Sequence, residues 1–307
     1  MFRYTLKEIF TYTGVSKWRI FNQLSKLAIW QALGKRDVIA PVNDYEMKLD
    51  LGTPGLSKVL YVYGTRELPD THVVKEEVQP GMVVADIGAN IGYYALMEAR
   101  EVGPDGHVYA FEPDPRNLPL LKENVVLNAL EEQVTIIPVA VADETGEKLF
   151  NLDERTNVSS FIARPDTVDT VEVPCIALHE FDHIDKVDML RMDAEGYECK
   201  IIDGVLPHLE QNDRPFKVML EVHADAYDEG EFNFIERLKK LFGLGFSTTR
   251  LIVPVQTRDE MRRRDYAPVG KWVETKHARH LYHHVAHADT IDLITTNQVR
   301  SLLLERA

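Results

Sequence analysis

A chain of 307 residues, 45% hydrophobic and 27% charged, has the make-up of a soluble globular protein with ample length for a packed core. No apolar run reaches the roughly 18 to 20 residues of a membrane span, the amino terminus lacks the pattern of a secretory leader, and Cys175 and Cys199 alone imply neither a disulfide framework nor a cysteine zinc site. The net charge is −14, of which residues 1–36 hold +6 (seven basic residues against Glu8 alone), leaving −20 on the remainder. A reducing cytoplasm is the expected compartment, and a polyanion would be repelled by the body of the protein.

Residues 1–55 read as a basic helical extension and lead-in. Phe2, Leu6, Ile9 and Phe10 share one helical face, and beyond TGVS so do Ile20, Phe21, Leu24, Leu27 and Ala28, with Ser16 placed to cap the second helix. The stretch superficially resembles a helix-turn-helix. Phe10 stands where such a motif needs a small residue and no third helix follows, which disfavours DNA. A helical cap or dimer contact over the site is the favoured reading. The alternative, given Trp18 and Trp30, is peripheral contact with the cytoplasmic face of an acidic membrane, near a lipid-linked substrate.

Residues 56–307 carry the second domain, in which strands and helices alternate from about residue 82. MVVADI, HVYAFE, QVTIIPVAV, VDMLRM, FKVMLEV, FSTTRLIVPV and a final TIDLITT give seven strands, and the helices between them predict a doubly wound, mostly parallel α/β sheet. Residues 143–170 read as loop-rich. An insertion over about 256–288 reads as a surface helix on which His280, His284 and His287 share a face. Metal binding there lacks any supporting carboxylate or cysteine pattern. Arg262 to Arg264, beside the expected rim, point to an anionic acceptor.

In such sheets the ligand lies at the carboxyl ends of the strands. The first strand ends in Asp86, followed by Gly88, Ala89, Asn90 and Gly92. These glycines let backbone approach a ligand, and the acid suits a cationic ligand rather than pyrophosphate. The second strand ends in Glu112, then Pro113, where an acid takes ribose hydroxyls. Ribose plus a cationic group indicates S-adenosylmethionine, whereas the missing GxGxxG disfavours an NAD dehydrogenase. Taken singly, Asp86 could equally fix the loop and Glu112 cap a helix.

VVADIGANIGYYAL, HVYAFEPDPRNLPLLKENVVLN, VAVADETG and VDMLRMDAEGYECKIIDGV together resemble the FkbM family of S-adenosylmethionine-dependent methyltransferases over roughly residues 60–225. The resemblance implies a Rossmann-like class I methyltransferase fold. It also implies that Asp86, Gly88, Asn90 and Gly92 surround the methionine moiety, Glu112 the ribose, and Ala142 with Asp143 the adenine. The YGTRE segment, Tyr63 to Glu67, is expected to close over the cofactor. Arg191 stands where family members often carry lysine.

The acceptor side falls at the ends of strands four and five, with Asp193 and Glu195 in RMDAEG and Glu221, His223 and Asp225 in LEVHAD. His223 is the expected base, with Asp193 next. The same Asp193, Glu221 and His223 could hold a divalent metal, which is not expected, and as a bland alternative Glu221 and Asp225 could cap turns or pair with Arg191. Asn157, Ser159 and Ser160 offer hydrogen bonds to a polyhydroxylated substrate. After strand four the chain reads Asp-Ala-Glu-Gly and lacks the prolines and aromatic residue that hold a flipped base, which favours oxygen as the acceptor. The expectation is O-methylation of a small-molecule or glycan acceptor, anionic or lipid-linked, by an enzyme that could form a homo-oligomer. The alternatives are an RNA methyltransferase using the basic arm and a methyltransferase-like binding protein without activity.

Overall fold

A computed structural model describes residues 12–34, 36–274 and 277–307. The first helical stretch, with Phe2, Leu6, Ile9 and Phe10, lies outside them. Helix α1 (Lys17–Ala32) begins where expected, with the Ser16 side chain accepting the Arg19 N–H at 3.1 Å. It turns Ile20 and Leu27 inward but leaves Trp18, Phe21 and Ile29 exposed, as is Leu33 just beyond it. A hairpin of β1 (Asp37–Val42) and β2 (Tyr45–Asp50) follows, then α2 (Leu56–Tyr63) and α3 (Leu68–Glu77).

The central sheet is built from β3 (Val83–Ile87), β4 (His107–Phe111), β5 (Val134–Ile137), β9 (Met189–Met192) and β10 (Phe216–Glu221), with β11 (Ser247–Pro254) and β14 (Ser301–Arg306). Their order is β11-β14-β10-β9-β3-β4-β5, and β14 runs antiparallel to both its neighbours. Parallel strands with one reversed strand near an edge, and the crossover beside β3, make this the Rossmann-like methyltransferase fold. Side chains alternate between faces, so Ala85, Ile87, Leu190 and Met192 enter one buried cluster and Val84, Met189 and Met219 the other. The second cluster also takes in Ile20, Leu27, Met47 and Leu49, so α1 and the β1–β2 hairpin share a core with the sheet.

Three expectations change. The sheet has nine strands rather than seven, because β12 (Gly270–Glu274) and β13 (His277–Val285) extend it past β11. The spacing of His280, His284 and His287 therefore has no helix beneath it. His280 and Tyr282 are buried in β13, and His287 instead stacks on Phe242 at 3.8 Å. TIDLITT is not the last strand. Its β-branched residues lie within a helix, His287–Thr295, whose Thr290, Leu293 and Ile294 are buried at helical spacing, so tertiary burial overrides strand propensity. The stretch after residue 142 is not all loop. β7 (Gly146–Asp153) and β8 (Thr167–Ala177) join β6 (Ala140–Ala142) in a separate sheet of order β6-β8-β7. Among the described residues no helix is long and apolar enough to cross a membrane.

Candidate active site

The carboxyl ends of β3, β4 and β9, together with the β7–β8 connection, line one open cleft. Its floor is the loop after β3. Gly88 (φ +80°) and Gly92 (φ +95°) take a conformation that L side chains rarely adopt, and a Cβ on Gly88 would sit 2.3 Å from the carbonyl oxygen of Asp193. Close backbone approach, not flexibility, is what this glycine provides. The Gly88 and Ala89 N–H groups both donate to the Phe111 carbonyl at 3.0 Å, tying the loop to β4.

Glu112 sits at the end of β4, 4% exposed. It accepts the Asn90 N–H at 2.7 Å, the Asp114 N–H at 2.8 Å and the Asn117 amide at 3.2 Å. Burial outweighs these donors and lifts its pKa to about 7. Glu112 and Pro113 line the cleft, as do Gly88, Ala89 and Asn90. The bonds to Asn90 and Asp114 also make Glu112 a fastener of the loop, and Oε2, which accepts the Asn90 N–H alone, keeps further acceptor capacity.

Five expected cofactor residues stand off the cleft, among them Gly92, which stands at the start of the following helix and packs toward Leu121. Asp86 is fully buried beneath the loop, and its partner is Arg191 rather than a ligand, Nη1 to Oδ1 at 3.0 Å. Burial pushes the Asp86 pKa up against the pull of Arg191. Ala142 lies just past the wall formed by Val139, Ala140 and Val141, because the chain leaves the main sheet after β5. Asp143 points away, to Lys148 at 3.1 Å and Lys200 at 3.0 Å. Glu67 (φ +47°) is buried behind Arg66, with which it forms an ion pair, and accepts the Tyr94 hydroxyl at 2.9 Å. Burial opposes its charge, but Arg66 and Arg300 hold its pKa well below the ordinary carboxylate range. From this segment it is Arg66 that lines the cleft.

Asp193, Glu195, Glu221 and His223 come together at the ends of β9 and β10. Asp193 and Glu195 line the cleft, as do Asn157, Ser159 and Ser160 on the opposite wall. The Ser159 hydroxyl accepts from Arg116 at 2.9 Å, and Asn157 Oδ1 is buried without a hydrogen-bond partner. Glu195 (φ +53°) is clamped by Arg164, which donates to its carboxylate at 2.8 Å and its carbonyl at 2.9 Å. His223 lies behind them. Its Nδ1 is 3.0 Å from Glu198 Oε1, and its Nε2 faces Glu221 at 3.2 Å, Glu195 at 3.7 Å and Asp193 at 3.8 Å. Burial lowers the imidazole pKa, but Glu198 and Glu221 override it and raise it well above the ordinary value. His223 does not line the cleft, so its imidazole stands behind Asp193 and Glu195 rather than against an acceptor. Glu221 does pair with an arginine, but Arg300 rather than Arg191. Asp225 accepts from Asn297 at 3.2 Å, outside the cleft.

Arg262 to Arg264 do not line the cleft either, and Arg264 is spent on Glu260, Asp289 and Asp292. Sequence reasoning did not single out Tyr94, Glu198 or Arg300, and within the YGTRE segment it chose Glu67 rather than Arg66. Tyr94 and Glu198 stand in the first turns of helices whose patterns already explain them, and Arg66 and Arg300 lie in short connections just before a helix and a strand, where sequence carries no pattern.

Residues 86–248 match the Methyltransferase FkbM domain. The chain is 29% identical over 182 residues to the 31-O-demethyl-FK506 methyltransferase FkbM of Streptomyces tacrolimicus, covering 48% of this chain and 67% of that protein. Over 52 residues it is 40% identical to the arsenite methyltransferase of Halobacterium salinarum, covering 17% of this chain and only 13% of that one. Among solved structures, P. horikoshii TYW2 in complex with MeSAdo superposes with a TM-score of 0.45 at 15% identity, covering 84% of this chain and 81% of the other. The domain match spans more than half of the chain, which belongs to the FkbM family of methyltransferases.

Proposed function

We propose that the protein transfers a methyl group from S-adenosylmethionine to an oxygen of a hydroxylated small-molecule or glycan acceptor. The observation that carries this reading is the continuity of one cleft from Glu112 to the Asp193–Glu195 rim. A nucleoside held at one end thereby faces an acceptor held at the other, and orienting the two is the main demand of an in-line displacement at carbon.

The residues present fit the cofactor. Glu112 offers acceptor capacity to the ribose hydroxyls, the tight Gly88 turn brings backbone against the ligand, and the Arg66 guanidinium suits a carboxylate. S-adenosylmethionine supplies an electrophilic methyl group on a sulfonium centre. Glu195 would take the acceptor proton as the oxygen bonds to carbon and the carbon–sulfur electron pair stays with sulfur. Asn157, Ser159 and Ser160 would orient acceptor hydroxyls from the facing wall.

The exposed Trp18, Phe21 and Ile29 lie on one side of α1, with exposed Lys17 and Lys26 flanking them. With the +6 of residues 1–36, this face suits an anionic lipid surface. That placement would bring a lipid-linked acceptor to the cleft.

The test is incubation with methyl-labelled cofactor and separated extracts of glycans, lipids and RNA. Label is expected on oxygen in the glycan, lipid or small-metabolite fraction. Label confined to RNA, or cofactor binding without transfer to any fraction, would overturn the reading.

A further inference from the structure

We propose that Asp193, Glu221 and His223 form a divalent-cation site behind the acceptor end of the cleft, an inference that rests on the oxygen-methylation reading above. One ligand atom from each of the three lies within 4.8 Å of the others. Small rotamer shifts bring such a set around one ion, whose bonds to nitrogen and oxygen span about 2.0 to 2.2 Å.

Two features separate this cluster from an ordinary acidic rim. The first is the setting of the histidine. Glu198, fully buried, takes the Nδ1–H at 3.0 Å and is itself fixed by the Ala194 N–H at 3.1 Å, the Gly196 N–H at 3.2 Å and the Tyr227 hydroxyl at 3.0 Å. A carboxylate that anchors one ring nitrogen and aims the other at further carboxylates is the arrangement that supports metal-ligating histidines. The second is Asp193 Oδ1, which is buried and has no hydrogen-bond partner, although Arg191 lies 3.6 Å from the other oxygen. A cation between Asp193, Glu221 and His223 would satisfy that oxygen. Arg300 pairs with Glu221 and steadies its carboxylate.

One imidazole and two carboxylates suit a first-row divalent ion such as Mn²⁺ better than Ca²⁺, which takes six to eight oxygen donors. Asp193 lines the cleft while Glu221 and His223 stand behind it, so the ion would sit on the inner side of the rim and fix the Asp193 carboxylate toward the acceptor, whose proton passes to Glu195. The carbon–oxygen bond then forms as the carbon–sulfur pair returns to sulfur, with no oxidant or reductant needed.

The experiment is a titration of the full chain with Mn²⁺ alone, followed by loss of the free-ion paramagnetic resonance signal. We expect one ion per chain, bound at least about tenfold more weakly by Asp193→Asn and by His223→Gln. Cooperative thermal unfolding checks that both variants fold. Absence of saturable binding by the native chain overturns the site, and so does binding that both folded variants retain. Calorimetry with S-adenosylmethionine keeps the two readings apart: a chain that binds Mn²⁺ but not the cofactor keeps the site and overturns the function proposed above.

Discussion

Asp86 and Arg191 are register partners on the parallel strands β3 and β9, and they close a buried ion pair at 3.0 Å beneath the loop that follows β3. The guanidinium also lies 3.7 Å over the Tyr94 ring, so one arginine ties β3 and β9 to the helix Tyr93–Val102. Removing one partner of a buried pair strands the other charge. Asp86→Asn is therefore expected to cost about 3 to 5 kcal/mol in denaturant unfolding. A loss under about 1 kcal/mol would mean that the pair does not hold the loop.

Gly88→Ala tests the loop itself. The φ of +80° and the 2.3 Å approach to the Asp193 carbonyl predict a loss of more than about 2 kcal/mol, because backbone on both sides must move. Calorimetry should show cofactor affinity falling with stability. An alanine variant that binds normally would show that the loop has room this geometry denies it.

Glu112 sets a pH dependence. Its folded pKa of about 7 lies above the ordinary 4.5, so between those values the folded chain holds a proton that the unfolded chain has released. The contribution of this group to stability is full below about 4.5 and is lost as pH rises to about 7. If the ionised carboxylate receives ribose hydroxyls, cofactor affinity runs the opposite way and weakens as pH falls below 7. Both slopes should disappear in Glu112→Gln, and binding isotherms from pH 5.5 to 8.5 would read the second.

Sedimentation with vesicles tests the face of α1. Vesicles rich in phosphatidylserine should carry the native chain down at low salt, and neutral vesicles should not. Trp18→Ser combined with Phe21→Ser should abolish that co-sedimentation without changing cofactor affinity, since neither residue lines the cleft. Equal binding of native and variant chains would remove α1 from any membrane contact.

What the sequence disclosed follows from how local each signal is. The β3 loop, Glu112 and the Asp193–Glu195 rim were legible because a strand, a glycine turn and an acid at the strand end are adjacent in the chain. The partners of those residues were not. Arg191 looked like a substituted lysine until strand register set it opposite Asp86. Glu198 stands in the first turn of its helix, and only the fold brings it within 3.0 Å of His223. The β7 and β8 strands were hidden in polar sequence, although Val171, Val173 and Cys175 alternate with polar residues and proline along β8 as a half-buried strand requires.

The β6-β8-β7 sheet hangs between β5 and β9 as one continuous excursion of the chain, and it carries Asn157, Ser159 and Ser160 to the cleft without contributing a strand to the central sheet. On the function proposed above, part of acceptor recognition would then be separable from capture of the cofactor. Recombination within that excursion could retarget the enzyme while the Asp86–Arg191 tie and the Glu112 anchor stay intact. Exchanging it between related chains is a direct way to redesign what this scaffold methylates.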